Sequence, residues 1–114
     1  MKANRFSGVI IKVKKINDQS MDNLLYVINN SPSIIHLRFD EVILTKNAVT
    51  HLSNFMRVNN KLDSLGLFSV KFEEKHDCKK VLDSISKNTK LKTLLLHNNI
   101  YYDQDLGDSF KVLV

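Results

Sequence analysis

The chain has 114 residues, of which 43% are apolar and 25% are charged, and its formal net charge is +5. This length and balance predict one globular domain with a packed core and exclude a disordered chain. No stretch approaches the roughly 18 uninterrupted apolar residues of a spanning helix, and the N-terminal apolar run is too short for an export signal. We therefore expect a soluble, cytoplasmic-type protein without a membrane span or a classical signal peptide.

Four short strand patterns alternate with helical patterns along the chain. The strand patterns are FSGVII, IIHLRF, LDSLGL and LKTLLL, and they place apolar residues at Phe6, Val9, Ile11, Ile34, Leu37, Phe39, Leu62, Leu65, Leu67, Leu91, Leu94 and Leu96. Corresponding positions recur at a spacing of about 28 residues, with one additional residue in the third unit. Such a fixed spacing predicts a stack of strand–helix units that bury one another's apolar faces.

The helical patterns repeat at the same spacing. Their apolar columns contain Met21, Val49, Cys78 and Leu106, then Leu24, Leu52 and Val81, and then Ile28, Met56, Ile85 and Leu113, whereas Ser109 breaks the middle column. Within a unit these residues lie three to seven positions apart, which is helical spacing. The additional residue of the third unit is predicted in the loop between Phe72 and Cys78.

Asparagine-containing turns follow the first three helices, in NNSP, VNNK and KNTK. Asparagine tolerates the left-handed backbone conformation that often ends a helix, so we predict that conformation there. Pro32 follows the first helix, where it cannot extend it.

The L-x-x-L-x-L strand pattern with a period near 28 resembles the leucine-rich repeat family, specifically its ribonuclease-inhibitor-like class. The resemblance implies an α/β fold, a short right-handed strand-turn-helix solenoid with a parallel sheet on its concave face and helices on its convex face. It implies a single domain over 1–114, with repeats at about 6–33, 34–61, 62–90 and 91–114. The family's asparagine after the strand is matched by Asn99, whereas Lys14, Val42 and Val70 occupy that place in the other units.

Side chains alternate across a strand, so the residues between the repeated leucines are predicted on the concave face. They form three columns: Gly8, His36, Ser64 and Thr93; Ile10, Arg38, Gly66 and Leu95; and Lys12, Asp40, Phe68 and His97. The resemblance implies that this face binds another protein. Our candidate partner-binding residues are His36, Arg38, Asp40, Phe68, Leu95 and His97. The alternative is that Phe68, Leu95 and Ile10 are single exposed hydrophobic residues, which are normal on protein surfaces.

An enzyme is not predicted. Asp40 and His97 lie two strands apart, roughly 10 Å, and His36 and Asp40 lie roughly 13 Å apart along one strand, beyond hydrogen-bond distance. The chain has a single cysteine, Cys78, and four histidines without metal-ligand spacing, so no metal and no cofactor is expected. Cys78 is interpreted as a core residue, with a reactive thiol as the alternative.

A basic segment, with no acidic residue before position 16, opens the chain and consists of Lys2, Arg5, Lys12, Lys14 and Lys15. It is interpreted as a polar cap on the terminal repeat, with two alternatives: binding to nucleic acid or an anionic surface, or stacking against the acidic C-terminal end of a second copy. Nucleic acid and an anionic surface are disfavoured, since no aromatic residue alternates with Lys12, Lys14 and Lys15 and no amphipathic basic helix is predicted there. Phe110, Val112, Leu113 and Val114 finish the chain without a polar cap. We therefore expect either self-association through the ends or packing of the tail over the open core.

The sequence therefore predicts a non-enzymatic module that binds another protein. Its Lys-, Asn- and Ile-rich composition is similar to that of effector-type repeat proteins that intracellular bacteria deliver into host cells. That similarity implies delivery into a host cell without a classical signal peptide as an alternative to a cytoplasmic location.

Overall fold

A computed structural model describes residues 7–74, 76–88 and 90–97 of the chain. They form an α/β fold in which the elements follow in the order β1 (Gly8–Ile11), β2 (Lys15–Ile16), α1 (Asp18–Asn29), β3 (His36–Asp40), β4 (Ile43–Leu44), α2 (Lys46–Val58), β5 (Ser64–Phe68), β6 (Lys71–Phe72), α3 (Asp77–Ser86) and β7 (Thr93–His97). The α/β class predicted from the sequence is confirmed.

Four of the strands form one parallel sheet in the order β1-β3-β5-β7. The register pairs Val9 with Leu37, Leu37 with Leu65, and Leu65 with Leu94. These are the same residues that the sequence pattern places in one column. The predicted strand columns are therefore confirmed in the part of the chain that the structure describes.

A second parallel sheet, in the order β2-β4-β6, was not predicted from the sequence. Its three strands have two residues each, and in each strand the second residue points into the core, as Ile16, Leu44 and Phe72 do. The chain therefore remains extended after each longer strand until it has buried one further apolar side chain. Paired residues lie 28 positions apart in the sequence between β3 and β5 and between β4 and β6, but 29 positions apart between β5 and β7. The additional residue of the third unit therefore lies between Phe72 and Thr93.

The core lies between the inner face of the four-stranded sheet and the three helices. Leu37, Phe39, Leu65 and Leu67 from the strands belong to the same buried cluster as residues from α1, α2 and α3. The buried helical residues are Met21, Leu25, Ile28, Ala48, Val49, Leu52, Met56, Cys78, Val81, Leu82 and Ile85. Cys78 is fully buried, in agreement with its interpretation as a core residue. Val42 and Val70, at the family's asparagine position, are also buried.

Two of the helices begin at a side-chain cap. The Asn17 side chain accepts a hydrogen bond from the Ser20 amide at 3.0 Å, and Thr45 accepts one from the Ala48 amide at 3.3 Å. Such caps satisfy amides that have no partner within the helix. None of the helices in the described ranges is long and apolar enough to cross a membrane.

The predicted left-handed asparagines at the helix ends are wrong. Asn30 has a φ of −102° and Asn59 has a φ of −60°. Asn59 instead uses its side chain: Oδ1 accepts from the amides of Lys61 (2.9 Å) and Leu62 (2.8 Å), and Nδ2 donates to the Leu62 carbonyl at 3.1 Å. The turn is thus closed by side-chain hydrogen bonds, which replace the backbone bonds of a left-handed helix end.

Asn88 repeats this turn and also joins two units. Its Oδ1 accepts from the amides of Lys90 (2.7 Å) and Leu91 (2.8 Å). Its Nδ2 donates to the carbonyls of Met56 (2.6 Å) and Asn59 (2.8 Å), at the end of the preceding helix. The Asn88 side chain therefore adds hydrogen bonds to carbonyls at the end of α2, where the Met56 carbonyl also accepts from the Asn59 amide at 3.4 Å.

Some of the predictions concern residues outside the described part of the chain. These are the strand residue Phe6, the asparagine Asn99, the helical residues after position 97, the uncapped C-terminal residues and the basic residues Lys2 and Arg5. Self-association through the ends therefore stays a prediction.

We expect Asn59→Ala to lower the free energy of unfolding by about 2 kcal/mol, because it leaves buried backbone groups without partners. The matched control is Asn60→Ala, since Asn60 is exposed and should change stability by less than about 0.5 kcal/mol. Urea unfolding of both variants beside the wild type measures the difference. Equal losses in the two variants would contradict the role assigned to Asn59.

Candidate functional site

The candidate site lies on the face of the four-stranded sheet that points away from the core. The register pairs His36 with Ser64, Arg38 with Gly66, Asp40 with Phe68, Gly66 with Leu95 and Phe68 with His97. We call this surface the outer sheet face and define it by Ile10, His36, Arg38, Asp40, Ser64, Gly66, Phe68, Leu95 and His97. It carries all six residues that the sequence predicted for partner binding.

Arg38 and Asp40 form a two-pronged ion pair along β3. Arg38 Nε lies 2.6 Å from Asp40 Oδ1, and Arg38 Nη2 lies 3.0 Å from Asp40 Oδ2. The hydrogen bond from Arg38 lowers the pKa of Asp40, and the charges of Arg38 and Lys12 act in the same direction, while desolvation opposes them. The same hydrogen bond raises the pKa of Arg38. The guanidinium charge is therefore largely compensated before any partner approaches.

Arg38 also stacks on the aromatic ring of the neighbouring strand. Its guanidinium carbon lies 4.0 Å from the centroid of the Phe68 ring, within the range of a cation–π contact. The Phe68 and His97 rings lie 5.7 Å apart at an interplanar angle of 41°. Three adjacent strands thus contribute Arg38, Phe68 and His97 to one continuous cluster.

Gly66 makes this stack sterically feasible. A Cβ atom at this position would lie 3.0 Å from Phe68 Cε1 and 3.4 Å from Arg38 Cγ. Gly66 is buried, although it lies on the outer face of its strand. The sequence pattern places Gly66 in the column of Arg38. It does not predict the stack, because the stack depends on the direction in which the Phe68 side chain points.

His36 and Ser64 form a further contact between β3 and β5. His36 Nδ1 lies 2.6 Å from Ser64 Oγ. Sequence reasoning paired His36 with Asp40 and missed its contact with Ser64, although His36 and Ser64 belong to the same predicted column. A serine beside a histidine is one part of a nucleophilic site, but a hydrolase also requires a group that orients the histidine and donors for an oxyanion. No such acidic group bonded to His36 appears among the described residues.

The two exposed apolar residues of the outer sheet face lie towards its edges. Ile10 on β1 is 59% exposed, and Leu95 on β7 is 49% exposed. Together with Gly8, His36, Arg38, Ser64 and Gly66 they line an open cavity of about 320 Å³, which we call the apolar hollow. The prediction that Ile10 and Leu95 face away from the core agrees with these exposures.

A second cavity, of about 350 Å³, lies towards the carboxyl ends of the strands and is called the rim hollow. It is lined by Arg38, Asp40, Glu41, Phe68, Ser69 and His97. Arg38 separates it from the apolar hollow, because this side chain lines both. The outer sheet face therefore offers two adjacent binding places of different chemistry.

Two residues with positive φ form the edge of the rim hollow. Glu41 has a φ of 55° and Ser69 has a φ of 56°, and no other described non-glycine residue is positive. Their amides donate to the carbonyls of Phe68 and His97, each at 2.8 Å. The left-handed conformation costs about 1–2 kcal/mol for a residue other than glycine, and such strain is concentrated at functional sites.

The described lysines of the predicted basic segment are all exposed, and one of them forms an ion pair. Lys15 pairs with Glu73 at 3.2 Å, and the charge of Lys12 acts on Asp40. Lys14 is exposed. Lys2 and Arg5 lie outside the described residues.

The remaining histidines and acidic residues of the described chain lie away from the outer sheet face. Within residues 7–74, 76–88 and 90–97, no group of three histidine, cysteine or acidic residues is arranged to hold a metal ion. His51 contacts Asp18 between α2 and α1, and His76 is exposed before α3.

No family model matches this sequence, and no curated protein matches it. The candidate site therefore rests on its own geometry.

We expect Arg38→Gln to raise the pKa of the Asp40 carboxyl, because the hydrogen bond from Arg38 is the main cause that lowers it. A carboxyl whose pKa is lower in the folded state stabilises the fold above its unfolded-state pKa, and this contribution is lost as the pH falls through the folded-state value. The stability difference between wild type and Arg38→Gln should therefore be present at neutral pH and shrink in acid.

A pH titration of the Asp40 side-chain carbon by nuclear magnetic resonance measures the shift directly. Lys90→Gln removes a positive charge from an exposed loop and serves as the control. An unchanged Asp40 titration in Arg38→Gln would contradict the assignment.

Proposed function

We propose that this chain is a leucine-rich-repeat-type solenoid of four units that binds another protein through the outer sheet face without catalysing a reaction. The observation that carries the proposal is the Arg38–Phe68–His97 cluster, which lies next to the exposed Ile10 and Leu95. The parallel registers support the repeat architecture, because they follow the spacing of the sequence pattern. So does the order of the elements, in which one helix follows β1 and β2, one follows β3 and β4, and one follows β5 and β6.

The make-up of the outer sheet face is typical of a binding site. Single exposed hydrophobic residues occur on every protein surface, but here two of them flank an aromatic ring and an arginine. Aromatic residues and arginine are enriched among the residues that contribute most to binding, with polar residues around them. Nothing in the packing of the core requires apolar side chains at Ile10 and Leu95, so their presence favours a role in binding.

The cluster is also held in place before a partner arrives. Arg38 is fixed by Asp40 on one side and by Phe68 on the other. A long side chain normally loses about 0.5–1.5 kcal/mol of conformational freedom when it becomes immobile in an interface. Because Arg38 is already ordered, most of that cost does not arise on binding.

The non-enzymatic part of the proposal is supported by the same contacts. The Asp40 carboxylate is occupied by Arg38, which leaves it poorly suited as a general base. Ser64 lies on a strand paired on both sides, so its amide faces neighbouring strands and is badly placed to bind an oxyanion. Location within a cell, and delivery into a host cell, stay predictions from composition.

We expect the Phe68→Asp and Arg38→Glu variants to lose the partners that wild type captures from a lysate, because each removes a part of the stacked cluster. Leu95→Asp, at a more exposed position, is the third variant and keeps the test independent of a folding defect in Phe68→Asp. Val58→Asp is the matched control, since Val58 is 75% exposed at the end of α2. Circular dichroism verifies that each variant is folded.

Partners that bind wild type and Val58→Asp but none of the three variants would support the proposal. If all three variants retain every partner, the outer sheet face is not the binding site.

The alternative, in which the basic segment binds nucleic acid, is tested by titration with a generic oligonucleotide at two salt concentrations. We expect no binding at either concentration, since Lys15 is paired with Glu73 and no aromatic residue alternates with Lys12, Lys14 and Lys15. Binding that weakens steeply with salt would instead favour the alternative, because contacts to phosphate release counterions. Reversal of the charge at Lys14 should then weaken it.

A further inference from the structure

By itself, the described part of the outer sheet face is smaller than a standard interface between two globular proteins. Its four strands, about 4.8 Å apart, and its five-residue length, at about 3.3 Å per residue, span an area of about 250 Å². A standard interface buries about 800 Å² on each partner. A surface of this size with two hollows fits a short segment better than a flat globular surface.

The two hollows lie one behind the other along the strands. The apolar hollow is lined by the column of His36 and Ser64 and by that of Arg38 and Gly66, whereas the rim hollow is lined mainly by the column of Asp40 and Phe68 and by Glu41 and Ser69 beyond it. The centres of the two hollows are therefore about three residues, or about 10 Å, apart along the strands. In an extended peptide, side chains on one face are two residues, or about 6.6 Å, apart. A lysine or arginine two residues from an apolar side chain covers the remaining distance to Glu41 with its long, flexible side chain.

The apolar hollow selects an apolar side chain. Its walls are Ile10 and Leu95, and its floor includes Gly66, which has no side chain to fill it. The one permanent charge that lines it belongs to Arg38, which is compensated by Asp40. A carboxylate placed there would lose its water and find no free cation.

The rim hollow selects a basic side chain. It is lined by two carboxylates, and that of Asp40 is taken by Arg38. The carboxylate of Glu41 has no ion-pair or hydrogen-bond partner among the described residues, and it is exposed. The strained backbone at Glu41 holds this side chain at the edge of the hollow. The Phe68 ring and the Ser69 side chain lie beside it as further contacts for an ammonium or guanidinium group.

We infer that the outer sheet face binds an extended peptide segment with an apolar side chain in the apolar hollow and, two residues away, a lysine or arginine that pairs with Glu41. The inference rests on the proposed function and specifies the partner as a linear motif, apolar-x-basic. The charge pair lies at the exposed edge of the site, so it contributes specificity more than affinity.

Selection of a phage-displayed library of random peptides against the immobilised full chain, with Phe68→Asp for counter-selection, tests the inference. Enriched peptides should share an apolar residue and a lysine or arginine separated by one position. Fluorescence anisotropy with a labelled enriched peptide then measures affinity. We expect Glu41→Lys to weaken binding about tenfold, through the lost ion pair and the new like-charge contact. Leu95→Asp should weaken binding as well.

Glu74→Lys is the matched control, because it reverses an exposed charge away from the outer sheet face and should leave affinity unchanged. Enriched peptides without a basic residue, or peptides that bind Glu41→Lys as tightly as wild type, would overturn the inference. So would a selection that enriches nothing over the counter-selecting variant.

The proposed function can survive those results. If peptides without the motif still lose binding to Phe68→Asp, the outer sheet face binds partners but by another rule. If the counter-selection with Phe68→Asp removes every peptide that binds wild type, both the motif and the surface are wrong.

Discussion

The parallel pairing of β3 with β5 is the constraint on which the rest of the structure depends. Its register places Leu37 beside Leu65 on the buried face and Arg38 beside Gly66 on the outer face. A slip of one residue would turn every side chain of one strand to the opposite face. Because the inner face of the sheet packs on three helices, such a slip would bury Arg38 and Asp40 and expose leucines. The core therefore holds the outer sheet face in register.

The geometry of the outer sheet face follows from that register together with one missing side chain. Gly66 lies between Arg38 and Leu95 across three strands, and its open space allows the Arg38 side chain to lie over the Phe68 ring. Asp40 fixes the guanidinium from the other side. The ion pair of Arg38 and Asp40 thus forms an ordered part of the surface with little net charge.

The two ends of the strands differ in how the chain turns: side-chain hydrogen bonds close the turns before the strands, and residues with positive φ follow the strands. Asn59 and Asn88 satisfy the amides that enter the next strand, and Asn88 also reaches the carbonyls at the end of the preceding helix. Strain is instead located where the strands end, at Glu41 and Ser69. The asparagine turns therefore lie at the edge of the sheet where the strands begin, and the residues with positive φ lie at the opposite edge, beside the rim hollow.

The α/β class, the strand positions and the columns that face outward could all be predicted from the order of the amino acids. The reason is that apolar spacing encodes both the alternation along a strand and the offset between strands. The six candidate residues were predicted on one surface for the same reason. The second sheet, the asparagine hydrogen bonds, the His36–Ser64 contact and the stack of Arg38 on Phe68 emerged only in the folded chain. These features depend on side-chain directions and on distances between units, which the twist of the sheet and the local backbone angles set and which the spacing of apolar residues does not encode.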